Sequence, residues 1–496
     1  MLDRRRWARG LRRMSPVLAL AAVALVLLAI APDALRLGFP ALALLTAAVL
    51  FRRDRVLYLQ FCFWLWLTTF ELRRLVDWRT SFHDSAPILL APYLATSVSG
   101  VLLLKHLRSL ARPAAVPMAC ALAGTLFGMI YGLTRYAAVD VLQGLVNWLS
   151  PVLFAFFLYQ ERSRYEEYRE AFTGAFVWGT LLTSVYGILQ FFLLPAWDEV
   201  WMRGVDNPAF GQAVRIKLRI FSTMNGPPGF ATYMMAGLLL IFCILVEHRR
   251  PADRRWADRS RLKVVAGMAA ATGLLALALT ASRSLWLGLI FGVLYLGWAM
   301  PGRARLRIAG TVLMTLVVVA AASQLPGVRE IVSVRLKSFA SGTSDVSASA
   351  RIAGHSAALA RLATEPLGEG MGSTDVDHKT TGYDDALGPH DSTLLELLYA
   401  LGGPGTLVYA AGLGWGLMMI FIPRFARSTA ASEPFAFAMR AIIVALFGQC
   451  LLTSILIGVP GFMTWVCLAF SLAAADSLKT AEVPKLENRE VFTRAS

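Results

Sequence analysis

Residues 264–300, VVAGMAAATGLLALALTASRSLWLGLIFGVLYLGWAM, hold one charged side chain, Arg283, in 37 positions. A hydrocarbon core of about 30 Å takes about 20 helical residues at about 1.5 Å each. The stretch therefore forms two spans only if a very tight turn joins them, and Thr280, Ser282 and Arg283 are the polar residues available for it. Arg283 then lies at a membrane face or just below it. Taken alone, it reads as a cation snorkelling to headgroups.

The pattern extends outward along the chain. Of 496 residues, 57% are hydrophobic and 16% charged, against about 45–50% and 25% in soluble domains. Apolar runs of spanning length recur from Val17 to about Ala475, which predicts an all-α polytopic membrane protein with about 14 transmembrane helices (12–14). The predicted spans include 88–104, 404–422 and 441–459. Lys and Arg gather in every second loop, as in RRDR (52–55), ERSRYEEYRE (161–170) and PGRARLR (301–307). Cytoplasmic loops are the basic ones, so both termini are expected inside and the first apolar run is expected to remain as a helix. The net charge of +16 is thus a topology signal, and its division among short loops excludes a nucleic-acid partner. Five cysteines form no CxxC pair, which indicates neither a disulfide framework nor a zinc site.

The expected organisation is N-terminal spans over 1–195, central spans with arginine motifs over 196–324, a large loop over 325–403, C-terminal spans over 404–476 and a tail over 477–496. Three segments on the outer side break the apolar pattern. Residues 72–87, with Arg73, Arg74 and His83, read as a short polar loop. Residues 195–227 run into RIFSTMNGPPGFA (219–231), with Arg215 just before it. The large loop holds Arg351 at the opening of a helical pattern and GPHDSTLLELL (388–398), in which His390 precedes a helix capped by Ser392 or Asp391. That helix is expected to stop at Gly402 and Gly403.

Arginine grips phosphate oxygens in bidentate geometry, and histidine titrates near neutrality and can serve as a general base. Arg219, Arg283, Arg351 and His390 on one side of a membrane therefore suit a diphosphate and a hydroxyl that must lose its proton. Each has an ordinary reading as well: Arg219 can pair with Asp198 or Asp206, Arg351 can be a solvated helix residue, and His390 a turn residue. DVDHK (375–379) lacks the further ligands of a metal site, and GEGMGS (368–373) lacks the strand and Gly-Lys-Ser/Thr of a phosphate loop. No metal and no cofactor are expected.

In their order, RIFSTMNGPPGFATYM, TASRSLWLG, SARIAGHSAALARLATEPLGEGMGS and GPHDSTLLELLYALGGPG resemble the O-antigen ligase and O-antigen polymerase superfamily, over about residues 215–422. The resemblance implies a glycosyltransferase of the bacterial inner membrane whose site faces the periplasm. Its donor is an undecaprenyl-diphosphate-linked glycan and its acceptor a glycan or lipid. A chain-length regulator and a flippase are the pathway partners it suggests. It also implies that His390 and Arg283 are catalytic and that Arg219, Arg283 and Arg351 bind the diphosphate, with Arg215 competing for the role of Arg219. Glu396, Asp391 and Asn225 take supporting places; Asn225-Gly226-Pro227 stands where Asn-Pro is usual, and Asp391 where Asn often follows the histidine. A polymerase of O-antigen, capsule or exopolysaccharide repeat units is the favoured reading, acting without a metal and with inversion. A ligase acting on lipid A core is the alternative, and a lipid-linked oligosaccharide flippase a second one.

Overall fold

The computed structural model describes residues 2–84, 86–205, 207–246, 256–322, 324, 354–356, 360, 364–373, 392–422 and 433–477. Among them are sixteen α-helices and no strand longer than an isolated bridge. In chain order these are α1 (Leu2–Ile30), α2 (Ala34–Arg53), α3 (Arg55–Arg79), α4 (Leu90–Ser97), α5 (Val101–Lys105), α6 (Val116–Gly132), α7 (Ala138–Gln160) and α8 (Tyr165–Leu193). The rest are α9 (Ala196–Val205), α10 (Pro227–Val246), α11 (Trp256–Leu279), α12 (Arg283–Ala299), α13 (Gly302–Ala322), α14 (Thr393–Phe421), α15 (Pro434–Phe447) and α16 (Gly458–Ser477).

Among the described residues, ten helical segments are long and apolar enough to cross a membrane, and two shorter apolar helices, α12 and α15, accompany them. The chain is a multi-pass, all-α membrane protein. Its centre is α10, whose Phe230, Tyr233, Met234, Leu238, Leu239 and Ile241 are fully buried among α8, α11, α12, α15 and α16. Apolar burial alone does not hold spans together in lipid, so small residues that allow close approach mark the contacts. A β-carbon on Gly124 would stand 2.7 Å from the Gly405 carbonyl oxygen, and one on Gly128 2.5 Å from that of Ala400. These glycines set α14 directly against α6.

Two expectations need correction. Residues 72–87 are not a loop throughout, because α3 continues to Arg79 and carries Arg73 and Arg74 as buried helical residues. The span expected over 441–459 is the helix Pro434–Phe447, followed by a non-helical segment to residue 457. Hydropathy cannot separate the two, since an apolar segment without helix is stable where other side chains satisfy its backbone. Here the Thr393 hydroxyl donates to Thr453 O (2.9 Å) and accepts from Ile455 N (3.0 Å), and the Thr464 hydroxyl donates to Ile455 O (2.7 Å).

The basic segment between α7 and α8 closes the opposite end of the bundle. Arg55 bonds Glu161, Arg169 bonds Glu433, and Arg162 meets Asp476 at 3.1 Å. Those pairs join α3, α7, α8, α15 and α16.

Candidate functional site

The tight turn that residues 264–300 demand is present. α11 ends at Leu279 and α12 begins at Arg283. Ala281 between them takes φ 53°, a left-handed value costly for a residue with a β-carbon. Such strain persists only where surroundings over-determine it. Thr280, Ala281 and Ser282 are all buried. The Thr280 hydroxyl donates to Leu277 O (2.7 Å), and Trp286 Nε1 donates to the same carbonyl (3.1 Å).

Arg219 completes the turn from another part of the chain. Its Nε donates to Thr280 O (2.9 Å), Nη2 to Ser282 Oγ (3.1 Å) and Nη1 to Ala209 O (2.9 Å). Its own N–H donates to Phe210 O (2.8 Å). One guanidinium thus joins the segment before α10 to the turn before α12, and its half-buried position leaves it at the edge of the site. Arg283, also half-buried, is the first residue of α12. A cation there meets the positive pole of the helix, an arrangement that an anion at the same place makes favourable.

Beneath Arg219 lies a cluster for which the sequence offers no single motif. Arg74 is fully buried, bonded to Glu71 and to the Ser222 carbonyl, and 3.2 Å from Asp198. The Tyr186 hydroxyl donates to Glu71 (2.7 Å) or to Asp198 (2.8 Å) and accepts from Trp197 Nε1 (2.8 Å). Gln190 donates to Asp198 (2.8 Å) and accepts from the Phe221 and Ser222 N–H groups (3.1 and 2.9 Å). The guanidinium also lies over the Phe221 ring, 4.8 Å from its centroid. Asp198, offered above as a partner for Arg219, pairs with Arg74 instead. The cluster holds Ser222 at φ 50° and so fixes the approach of the chain to Thr223, Asn225 and α10. Asn225 is exposed in that turn, and Arg215 is exposed four residues before Arg219.

The entry to α14 belongs to the same end. Gln449 packs on Gly288, five residues into α12 from Arg283, where a β-carbon would stand 2.7 Å from its Nε2. The next residue, Cys450, accepts from Thr393 N at 2.9 Å. Ser392 caps α14 by accepting from Leu394 N (3.2 Å), as the sequence suggests for one of its two candidates. Glu396 is fully buried and accepts from the Ser454 hydroxyl. His390, Arg351 and Asp391 lie outside the described residues, as does the segment DVDHK.

The glycine series 368–373 has a packing role. Glu369 N and Gly370 N donate to Tyr399 O (3.0 and 3.1 Å), Met371 N to Gly128 O (3.0 Å), and Gly403 N to Pro366 O (2.8 Å). Gly370 (φ 93°) passes so near α6 that a β-carbon would stand 2.6 Å from Gly132 N. Gly402 (φ 63°, ψ −179°) breaks α14 where this segment docks. Among the described residues, no group of three or more His, Cys, Asp or Glu side chains is placed to hold a metal ion.

Residues 268–410 match the family model described as O-antigen ligase (Wzy_C). The match runs from α11 through the 280–283 turn and α12 to the middle of α14, past the kink at Gly402, while Arg219 and the Arg74 cluster lie outside it. No curated protein matches the chain. The turn carrying Arg283 and the helix that follows His390 are both within the matched segment, and over that segment the chain is similar to the O-antigen ligase family.

Proposed function

We propose that the protein is an inverting glycosyltransferase that polymerises undecaprenyl-diphosphate-linked repeat units at the periplasmic face of the inner membrane. The observation that carries the reading is the juxtaposition at one end of the bundle. Arg219 clamps the turn that presents Arg283, and α12 connects through Gln449 and Cys450 to the start of α14, three residues after His390 in sequence.

In the proposed reaction an acceptor hydroxyl oxygen attacks the anomeric carbon of the donor glycan. The carbon–oxygen bond to the diphosphate breaks, and undecaprenyl diphosphate leaves with the electron pair. Arg283 and Arg351, with Arg219 at the edge, neutralise the charge that develops on the leaving oxygen, so no metal is required for that task. His390 accepts the proton of the attacking hydroxyl. The first turn of α12 adds its N–H groups on the same side. One displacement gives inversion at the anomeric carbon.

A ligase is the second reading, because the matched family model is described by that activity. The test is purified protein in nanodiscs with the lipid-linked repeat extracted from a strain lacking this protein, with and without lipid A core. A ladder from the repeat alone supports the polymerase, and product only with core supports the ligase. Lipid scrambling without any product overturns both. His390→Ala should lower transfer by about 100- to 10,000-fold, and Arg283→Ala should abolish it, with the protein still monodisperse.

A further inference from the structure

One side chain of the large loop touches the membrane helix at the place where the chain leaves His390. His355 Nε2 lies 3.0 Å from Ser392 Oγ. The same oxygen caps α14 by accepting from Leu394 N. Ser392 is fully buried and His355 half-buried, so water does not replace this bond without opening the helix start.

We propose that His355 is a positioning residue of the transfer reaction: by bonding Ser392 it fixes the first turn of α14 and with it the part of the chain that carries His390. The inference rests on the glycosyltransferase reading above. Its physical basis is the division of labour around α14. The side toward residues 450–455 is held by Thr393 and Glu396, through Cys450 O, Thr453 O, Ile455 N and the Ser454 hydroxyl. The loop segment 366–370 docks further along, at Tyr399 and Gly403, and His355 supplies a tie from the loop to the helix start. A hydroxyl has two lone pairs and one proton. Ser392 Oγ can therefore keep Leu394 N as donor while it donates to a neutral imidazole or accepts from a protonated one. The contact serves in either charge state, which suits a brace rather than a base.

Two readouts separate this idea from the functional reading. Hydrogen exchange of the full-length protein in nanodiscs needs no activity. His355→Ala should speed exchange at Leu394 and Glu396 about fivefold, the factor that one neutral hydrogen bond supplies, and leave α10 unchanged. Ser392→Ala should have at least that effect, and the double variant should add little to it. In the transfer assay with the extracted lipid-linked repeat, His355→Ala should lower kcat with KM unchanged. His355→Gln, which keeps a side-chain donor and acceptor, should recover much of kcat with the wild-type pH profile. Unchanged exchange in His355→Ala overturns the brace. Equal loss in the Gln and Ala variants, with an altered pH profile, also overturns it and makes His355 a catalytic group. Faster exchange in a protein that transfers no glycan under any condition leaves the brace standing as architecture and refutes its role in a reaction, together with the functional reading.

Discussion

Arg74 holds the turn at Ser222 and Arg219 the turn at residues 280–283, and the two arginines are embedded differently. Arg74 is sealed between two carboxylates, a carbonyl and two aromatic rings. Arg219 bridges two carbonyls and a serine hydroxyl at a half-buried edge. Losing Arg74 would leave Glu71 and Asp198 as buried charges short of a counter-ion. The contacts of Arg219 with Thr280, Ala209 and Ser282 are to carbonyl and hydroxyl oxygens, each worth much less. One arginine is therefore framework, and the other sets the turn of the proposed site, which should survive its loss as a fold.

The most severe test of that difference is Arg74→Met. Stranding a buried ionic group costs about 3–5 kcal/mol, so this variant should unfold at a much lower temperature in detergent or fail to accumulate in the membrane. Wild-type thermal stability in Arg74→Met would show that the cluster is not framework. Adding Glu71→Gln and Asp198→Asn should restore part of the loss, since the stranded charges are then gone. If the triple variant is no better than the single one, packing on Phe221 and Trp201 rather than charge pairing is what Arg74 provides.

Much of this arrangement is legible in the sequence, and the limits are physical. The turn at residues 280–283 follows from arithmetic, because 37 residues cannot span twice with slack between them. The break at Gly402 follows from paired glycines ending an apolar helical run. The partner of Asp198 is not legible: 124 positions separate it from Arg74, and only the packing of α9 on α3 brings them together. The segment after α15 misleads because its residues are as apolar as a span, while its backbone is satisfied by Thr393 and Thr464 from elsewhere. In the sequence Glu396 has a place one turn into the helix after His390 but no partner, and in the structure it accepts from the Ser454 hydroxyl. That buried contact was unreadable because it depends on the non-helical course of residues 448–457.

Arg219→Ala should separate fold from function. Removal of three hydrogen bonds to neutral acceptors should cost about 1–3 kcal/mol, leaving a folded protein with a modestly lower melting temperature. Transfer should fall about 100-fold, the scale on which a misplacement of about 1 Å at a reacting centre acts. Arg219→Lys should not rescue it, because an ammonium cannot span Thr280, Ser282 and Ala209 as the planar fork does. Stability lost as heavily as in Arg74→Met would erase the distinction between the two arginines.

The smallest effect is expected at Arg215, the rival for the role of Arg219. It is exposed, beside Ile216 at φ 67°, in the short excursion that leaves the chain at Gly211 and rejoins it at Leu218. That excursion is anchored at its base, where Gln212 N donates to Lys217 O and Ile216 N to Phe191 O. No side-chain atom of Arg215 is needed for either bond. Arg215→Ala should therefore change stability by less than about 0.5 kcal/mol, as exposed positions generally do. If the diphosphate is held at the 280–283 turn, transfer should stay within about twofold of wild type, since a solvent-screened charge contributes little there. A loss in Arg215→Ala as large as in Arg219→Ala would move the phosphate contact outward to the excursion and leave Arg219 as scaffold alone. Salt then gives the finer reading: an exposed contact weakens as ionic strength rises, whereas the half-buried clamp at Arg219 should hold KM nearly constant over the same range.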